Sequence, residues 1–240
     1  MLERVKSTEG FMIEQMLCCI PARAGSKRLP GKNLMPLAGK PMIAYSIETA
    51  LTSGLFDNVY VCTEDPTIAE VARRYGASVP ILMPPDLCGD LVPSHIPCQH
   101  MAEFLGNIAQ RKEILVCLQP TSPLRSVEDL RRSVERFLHG DLDFLVSVTR
   151  IDPHYFHWAI VPNDDNYWRL YFGDKYMQER PMLPPVYRPN GSIKIARLDK
   201  LKEIGHFFGS RLGVVETPEE RSIHVATQLD FNLCEFLLRR

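Results

Sequence analysis

The segment Ile20-Pro-Ala-Arg-Ala-Gly-Ser-Lys-Arg-Leu-Pro-Gly-Lys-Asn33 places four cations, Arg23, Lys27, Arg28 and Lys32, within ten residues, with Gly25 and Gly31 among them. Glycines let backbone N–H groups turn toward an anion, and lysine and arginine supply charge-assisted hydrogen bonds. That combination suits a triphosphate. It is close to the GxxxxGK[ST] phosphate loop but departs from it. One residue too many separates Gly25 from Gly31-Lys32, and Asn33 stands where a serine or threonine would hold Mg²⁺. The GxGxxG pattern of dinucleotide sites is absent. A solvated surface turn is the plain alternative, and the loop's position directly after an apolar strand argues against it.

The rest of the composition narrows the choice of partner. Lys and Arg number 28 against 29 Asp and Glu, so a net charge of -1 provides no general attraction for nucleic acid. Hydrophobic residues at 45% and charged residues at 24% describe a packed globular chain rather than a disordered one. No apolar run approaches the roughly 18 residues of a membrane span. Met1–Gln15 carries Glu3, Glu9 and Glu14 and lacks the apolar core of a secretory signal. Seven cysteines without a CxxC pair read as reduced thiols of a cytoplasmic protein, which disfavours structural zinc and disulfides. Neither nucleic acid nor membrane is expected as a partner.

The elements that position the loop follow a strand–helix rhythm. Leu17–Ile20 reads as a strand buried on both faces. Pro41–Leu51 has helical spacing at Ile43, Ile47 and Leu51, with Pro41 suited to the first turn and Gly54 to the exit. Val59–Cys62 is the next strand, and Asp65-Pro66 opens a helix closed by Gly76. Ile114–Leu118 and Phe144–Val148 are further strands. Between them, Ser126-Val-Glu-Asp129 is a capping box for a helix running to His139. The repeated units predict an α/β, Rossmann-like, mostly parallel sheet with helices on both faces and ligands at the strand C-termini. Asp152–Pro189 breaks the rhythm with Trp158, Trp168 and a Pro-rich tail, and is expected to be an inserted β-rich arm used for dimerisation. Regular structure is expected again at Gly191–Ala196. A C-terminal helix is expected from near Asp230, with Leu229, Leu233 and Phe236-Leu237 facing inward. Residues 1–15 are expected to be an extension, with Met16 as an alternative start, and 16–240 the principal domain.

Ala22-Arg23-x-x-Ser26-Lys27-x-Leu29-Pro30-x-Lys32-Asn33 resembles the signature loop of the acylneuraminate cytidylyltransferases, the CMP-sialic acid synthetase family. Gly39–Ile43, Thr63–Ala72, Leu118-Gln-Pro-Thr-Ser-Pro-Leu-Arg125 and Arg188-Pro-Asn-Gly191 resemble further family segments in order. The resemblance implies a homodimeric nucleotidyltransferase that joins CTP to a nine-carbon α-keto acid sugar, giving the CMP-sugar and pyrophosphate. It implies nucleotide contacts from Ala22, Arg23, Gly25, Ser26, Lys27, Lys32, Asn33 and Ser94, with Arg23 and Lys32 as the catalytic cations. It also implies sugar contacts from Gln119, Arg188 and Asn190, and a divalent ion, Mg²⁺ or Mn²⁺.

Three positions depart from the family pattern. Met83 replaces an arginine associated with the cytosine pocket. His224 and Ala226 stand where a late strand of the family carries an Asp-x-Asp pair serving Mg²⁺, and strand alternation would put both on one face. Lys194 replaces an aromatic residue. The altered metal site leaves Asp230 and His224 as candidate ligands, although a helix cap and a structural hydrogen bond are their bland roles. The rival readings are a Kdo-type cytidylyltransferase, whose first loop is similar, another sugar nucleotidyltransferase, and a non-catalytic binder with a degenerate metal site.

Overall fold

The computed structural model describes residues 15–107 and 112–240. The expected extension therefore lies, apart from Gln15, outside the described residues. Strand β1 (Met16–Pro21) enters the loop, which leads through two short strands, β2 (Pro36–Leu37) and β3 (Lys40–Pro41), into helix α1 (Met42–Ser53). Strand β4 (Val59–Cys62) and helix α2 (Pro66–Arg74) form the next unit. Helix α3 (His95–Asn107), strand β5 (Ile114–Leu118) and helix α4 (Val127–His139) follow. Strand β6 (Phe144–Ile151) leads into the arm, made of the helical turn α5 (His154–His157), the paired strands β7 (Ile160–Pro162) and β8 (Trp168–Leu170) and two 3-10 turns. Strand β9 (Val186–Arg197), helix α6 (Leu198–Ile204), strand β10 (Leu212–Glu216) and helix α7 (Gln228–Leu238) complete the described chain.

The main sheet has the order β10-β6-β9-β5-β1-β4. All pairs except those of β9 are parallel, so β9 alone runs against the other five strands. Alternation along the strands divides the core in two. Cys18, Ile20, Val59, Val61, Val116 and Leu118 pack under α1, α2 and α4. Leu17, Cys19, Tyr60, Cys62, Leu115 and Cys117 pack under α3 and α6. Helices thus cover both faces, as the strand–helix rhythm predicts.

The local signals act as the sequence implies. Gly54 closes α1 at φ 66°, a left-handed conformation that favours glycine. The Asp65 carboxylate accepts from the N–H groups of Thr67 and Ile68, and the Ser126–Asp129 capping box is formed.

Several expectations need correction. Strand β9 begins at Val186, before the expected return of regular structure at Gly191, so Arg188-Pro-Asn-Gly191 is part of a strand. An irregularity between Val146 and Val148 marks where β6 accommodates it. Residues 222–226 form no strand; they are an irregular run tied to the strand-end loop by Val225 N–H donating to the Thr121 carbonyl. In α7 the inward residues are Phe231 and Cys234, whereas Leu229, Leu233 and Phe236 are exposed. The helix starts at Gln228, two residues before the expected Asp230, because Thr227 is its N-cap and Asp230 its third residue.

Candidate active site

Parallel strands β1, β4 and β5 end at one edge of the sheet, and a cleft of about 250 Å³ opens there. Its wall includes Ala22, Arg23, Arg28, Lys32 and Asn33 from the loop after β1, with Gln119 and Thr121 after β5. Ser94 and His224 complete it with the 87–90 segment.

Backbone anchors fix the loop. Ala22 N–H donates to the Cys62 carbonyl (2.9 Å), and Ala24 N–H donates to the Glu64 carboxylate (2.8 Å). Asn33 Nδ2 donates to the Arg23 carbonyl (2.9 Å) and so staples the two ends together. Gly31 takes φ 65°, which lets the chain turn and bring Lys32 back toward the cleft. Asn33 is buried, and its Oδ1 has no hydrogen-bond partner although it belongs to the cleft wall. A buried acceptor left open is costly unless a ligand supplies the donor.

Charge is concentrated here. Burial, with Arg28 and Arg23 close by, holds the Lys32 ammonium below the ordinary lysine pKa. His224 is pushed down to about 4, first by burial and then by Lys32, Lys194 and Arg28. Its imidazole is therefore neutral at pH 7, with Nδ1 3.2 Å from Thr121 Oγ1. Lys194 lies over the Phe207 ring, 5.3 Å from its centroid.

The structure brings together Ala22, Arg23, Lys32, Asn33, Ser94, Gln119 and His224. Gly25, Ser26 and Lys27 are not part of the cleft wall, and the exposed Lys27 ammonium pairs with Asp90 (2.6 Å). Asn190 does not offer its side chain to a sugar. Its Oδ1 accepts from Ser147 Oγ and Ser192 N–H, and its Nδ2 donates to Thr217 Oγ1 and Ser222 Oγ, so a buried internal network uses the whole amide. Arg188 lies outside the cleft wall, exposed, with Nη2 3.3 Å from the Ser222 carbonyl. Met83 is buried in the core beside Cys62 and Met101 rather than lining the cleft. The resemblance assigned no contact to Arg28, Thr121 or Asp90, which the cleft wall includes. The first two lie inside motifs already singled out, whereas Asp90 had no local signal.

The residues at the expected metal position do not fit Mg²⁺. Asp230 Oδ2 accepts from Ala226 N–H, Thr227 N–H and Thr227 Oγ1, which commits the carboxylate to capping α7. His224 offers a nitrogen among three cations, and Ala226 offers no side-chain ligand. Among the described residues, the one tight group of ligand-type side chains is Cys19, Cys62 and Cys98, three buried thiols packed in the core.

The α/β sheet with a cationic loop beyond its first strand is an architecture that solved structures share. CMP:2-keto-3-deoxy-manno-octonic acid synthetase complexed with CTP matches with a TM-score of 0.70 over 94% of this chain and 98% of that one, at 19% identity. The cytidylyltransferase family model matches residues 17–179, and the chain belongs to that family. It is 31% identical to pseudaminic acid cytidylyltransferase of Campylobacter jejuni over 223 residues, 93% of this chain and 96% of the relative. It is 34% identical to N-acylneuraminate cytidylyltransferase of Streptococcus agalactiae over 217 residues, 90% of this chain and 51% of that longer relative. The resemblance seen in the sequence is borne out.

The depressed Lys32 pKa has a testable consequence. Lysine loses its charge as pH rises through that lowered value, whereas arginine stays charged. Titration of wild type and Lys32→Arg with pyrophosphate from pH 7 to 10 should show wild-type affinity falling relative to the variant toward the alkaline end of that range. A constant ratio across the range would mean that Lys32 does not hold the anion.

Proposed function

We propose that the protein transfers a cytidylyl group from CTP to the anomeric hydroxyl of a nonulosonic, sialic-acid-like α-keto sugar, giving the CMP-sugar and pyrophosphate. The observation that carries this reading is the convergence of Arg23, Arg28 and Lys32 with the open Asn33 Oδ1 on one cleft at the strand C-termini. The names of the relatives support the choice of cytidine nucleotide and acidic sugar. Arg23 and Lys32 serve the triphosphate, with Arg28 beside them. The sugar hydroxyl attacks the α-phosphorus in line and gives up its proton to solvent, a new oxygen–phosphorus bond forms, and the bond to the leaving pyrophosphate oxygen breaks. Negative charge grows on the leaving pyrophosphate, where fixed cations stabilise it without reorganising. Gln119 and Ser94 lie on the wall beside this point and serve sugar and nucleotide respectively. Arg188, at the outer edge, suits the sugar carboxylate through its planar fork, and Asn190 positions the strand behind it.

A divalent ion would find few protein ligands here, since Ala226 offers none and Asp230 caps α7, and would depend on the nucleotide for most of its oxygens. Free thiols throughout the described chain and the absence of any described helix long and apolar enough to cross a membrane fit a place in the cytoplasm.

Pyrophosphate release should be seen with CTP and one or more of sialic, legionaminic or pseudaminic acid, and be lost by at least ~100-fold in Lys32→Ala. Half-maximal turnover should need less Mg²⁺ in the His224→Asp/Ala226→Asp variant. Release with no pair among four nucleotides and these sugars, under Mg²⁺ or Mn²⁺, would favour the non-catalytic binder. Equal Mg²⁺ requirements would refute the altered metal site.

The arm supplies a second proposal, a homodimer. Tyr155, Tyr167, Trp168 and Met182 are exposed together on it, a poor surface to leave in water. Trp158 is already stacked on His154, so Trp168 is the indole expected to be buried on assembly. Sedimentation at micromolar concentration should give a dimer that Trp168→Glu splits. A fully active wild-type monomer would contradict this.

A further inference from the structure

The cleft contains an anion of its own. Asp90 reaches the phosphate loop with Oδ1 2.7 Å from Arg23 Nη1 and Oδ2 2.6 Å from Lys27 Nζ. One carboxylate thus spans two of the four loop cations, the arrangement a phosphate takes between paired donors. The segment that carries it, Leu87–Asp90, forms the wall facing the loop. Leu91 beside it is almost fully exposed, so no apolar contact of that residue fastens the segment down. The Lys27 and Arg23 charges hold the Asp90 carboxyl below the usual carboxylate range, so it stays ionised at neutral pH.

We propose that Asp90 is a built-in stand-in for a nucleotide phosphate, occupying Arg23 in the cleft wall and the exposed Lys27 outside it until a polyphosphate binds and displaces it. The nature of that polyphosphate rests on the cytidylyltransferase reading above. A carboxylate left on these donors would face phosphate oxygens of the same sign at close range, which favours its departure. In the empty protein the contact relieves repulsion among Arg23, Lys27, Arg28 and Lys32 and keeps the cleft wall against the loop. In turnover it makes Asp90 a competitor of the pyrophosphate product as well as of the substrate. Asp90 therefore sets affinity and product release, and touches no reacting atom.

Asp90→Asn preserves shape and removes the charge. Isothermal titration of the full chain with CTP, pyrophosphate and cytidine separates the contributions. The variant should bind CTP and pyrophosphate about 3- to 10-fold more tightly, the scale of losing two partly exposed ion pairs. Cytidine affinity should not change, and pyrophosphate should become a stronger product inhibitor. The gain should shrink in an Arg23→Gln background, where one of the contested donors is gone, and Asp90→Ser should repeat its direction. Unchanged polyanion affinity in a folded Asp90→Asn protein would overturn the proposal. So would weaker affinity, which would mean that Asp90 positions the cations in the bound state. Tighter pyrophosphate binding without CTP binding to either protein would uphold Asp90 and defeat the nucleotide reading instead.

Discussion

Holding like charges together in the absence of the ligand that needs them is the constraint on which this structure depends. Arg23, Arg28 and Lys32 converge on one small cleft, where burial first and the neighbouring cations second lower the pKa of Lys32 and keep His224 neutral. The loop does not spring open because its backbone is tied to β4 and its end. Ala22 is bonded to Cys62, Ala24 to Glu64, and Asn33 closes the loop on itself. These contacts fix the cations before the ligand arrives, which is what electrostatic catalysis requires.

A buried charge fastens the segment that follows β5. Arg125 is buried and donates to the carbonyls of Gln119 and Ser192 and the hydroxyls of Ser46 and Ser192. Burial lowers it to about 10, and these direct hydrogen-bond partners include no carboxylate. The guanidinium thereby joins the end of β5 to α1 and β9. Removing it would strand acceptors in a dry interior, at a cost of about 1–3 kcal/mol for each group left unpaired. Arg125, at the end of the Leu118–Arg125 block, therefore has a structural role.

Much of the fold was legible because its cues are local. Short continuous apolar runs mark β1, β4 and β5, while Asp65, the Ser126–Asp129 box and Gly54 mark helix ends. What the sequence hid depended on tertiary partners. Helix α3 begins with His95 and contains Pro97 and Gly106, so its buried Cys98, Met101 and Leu105 carry a weak local pattern. The run at 222–226 alternates like a strand but has no strand partner. Asn190 sits in a motif suited to sugar contact, and only its four internal bonds show a structural role. The apolar residues of α7 misled because Leu229, Leu233 and Phe236 lie on the outer side. For the site itself, the cationic loop was visible as chemistry, whereas its counter-anion lies about sixty residues downstream, and pairing over such separations is set by topology alone.

The central claim is that this cleft recognises a nucleotide chiefly through its phosphates. The direct measurement is the affinity of the wild-type chain for cytidine, CMP, CDP and CTP at low and at moderate salt. The account predicts that affinity rises with each added phosphate, and that the CTP advantage shrinks as salt screens the loop. Equal binding of CMP and CTP, independent of salt, would contradict it and would move recognition away from Arg23, Arg28 and Lys32.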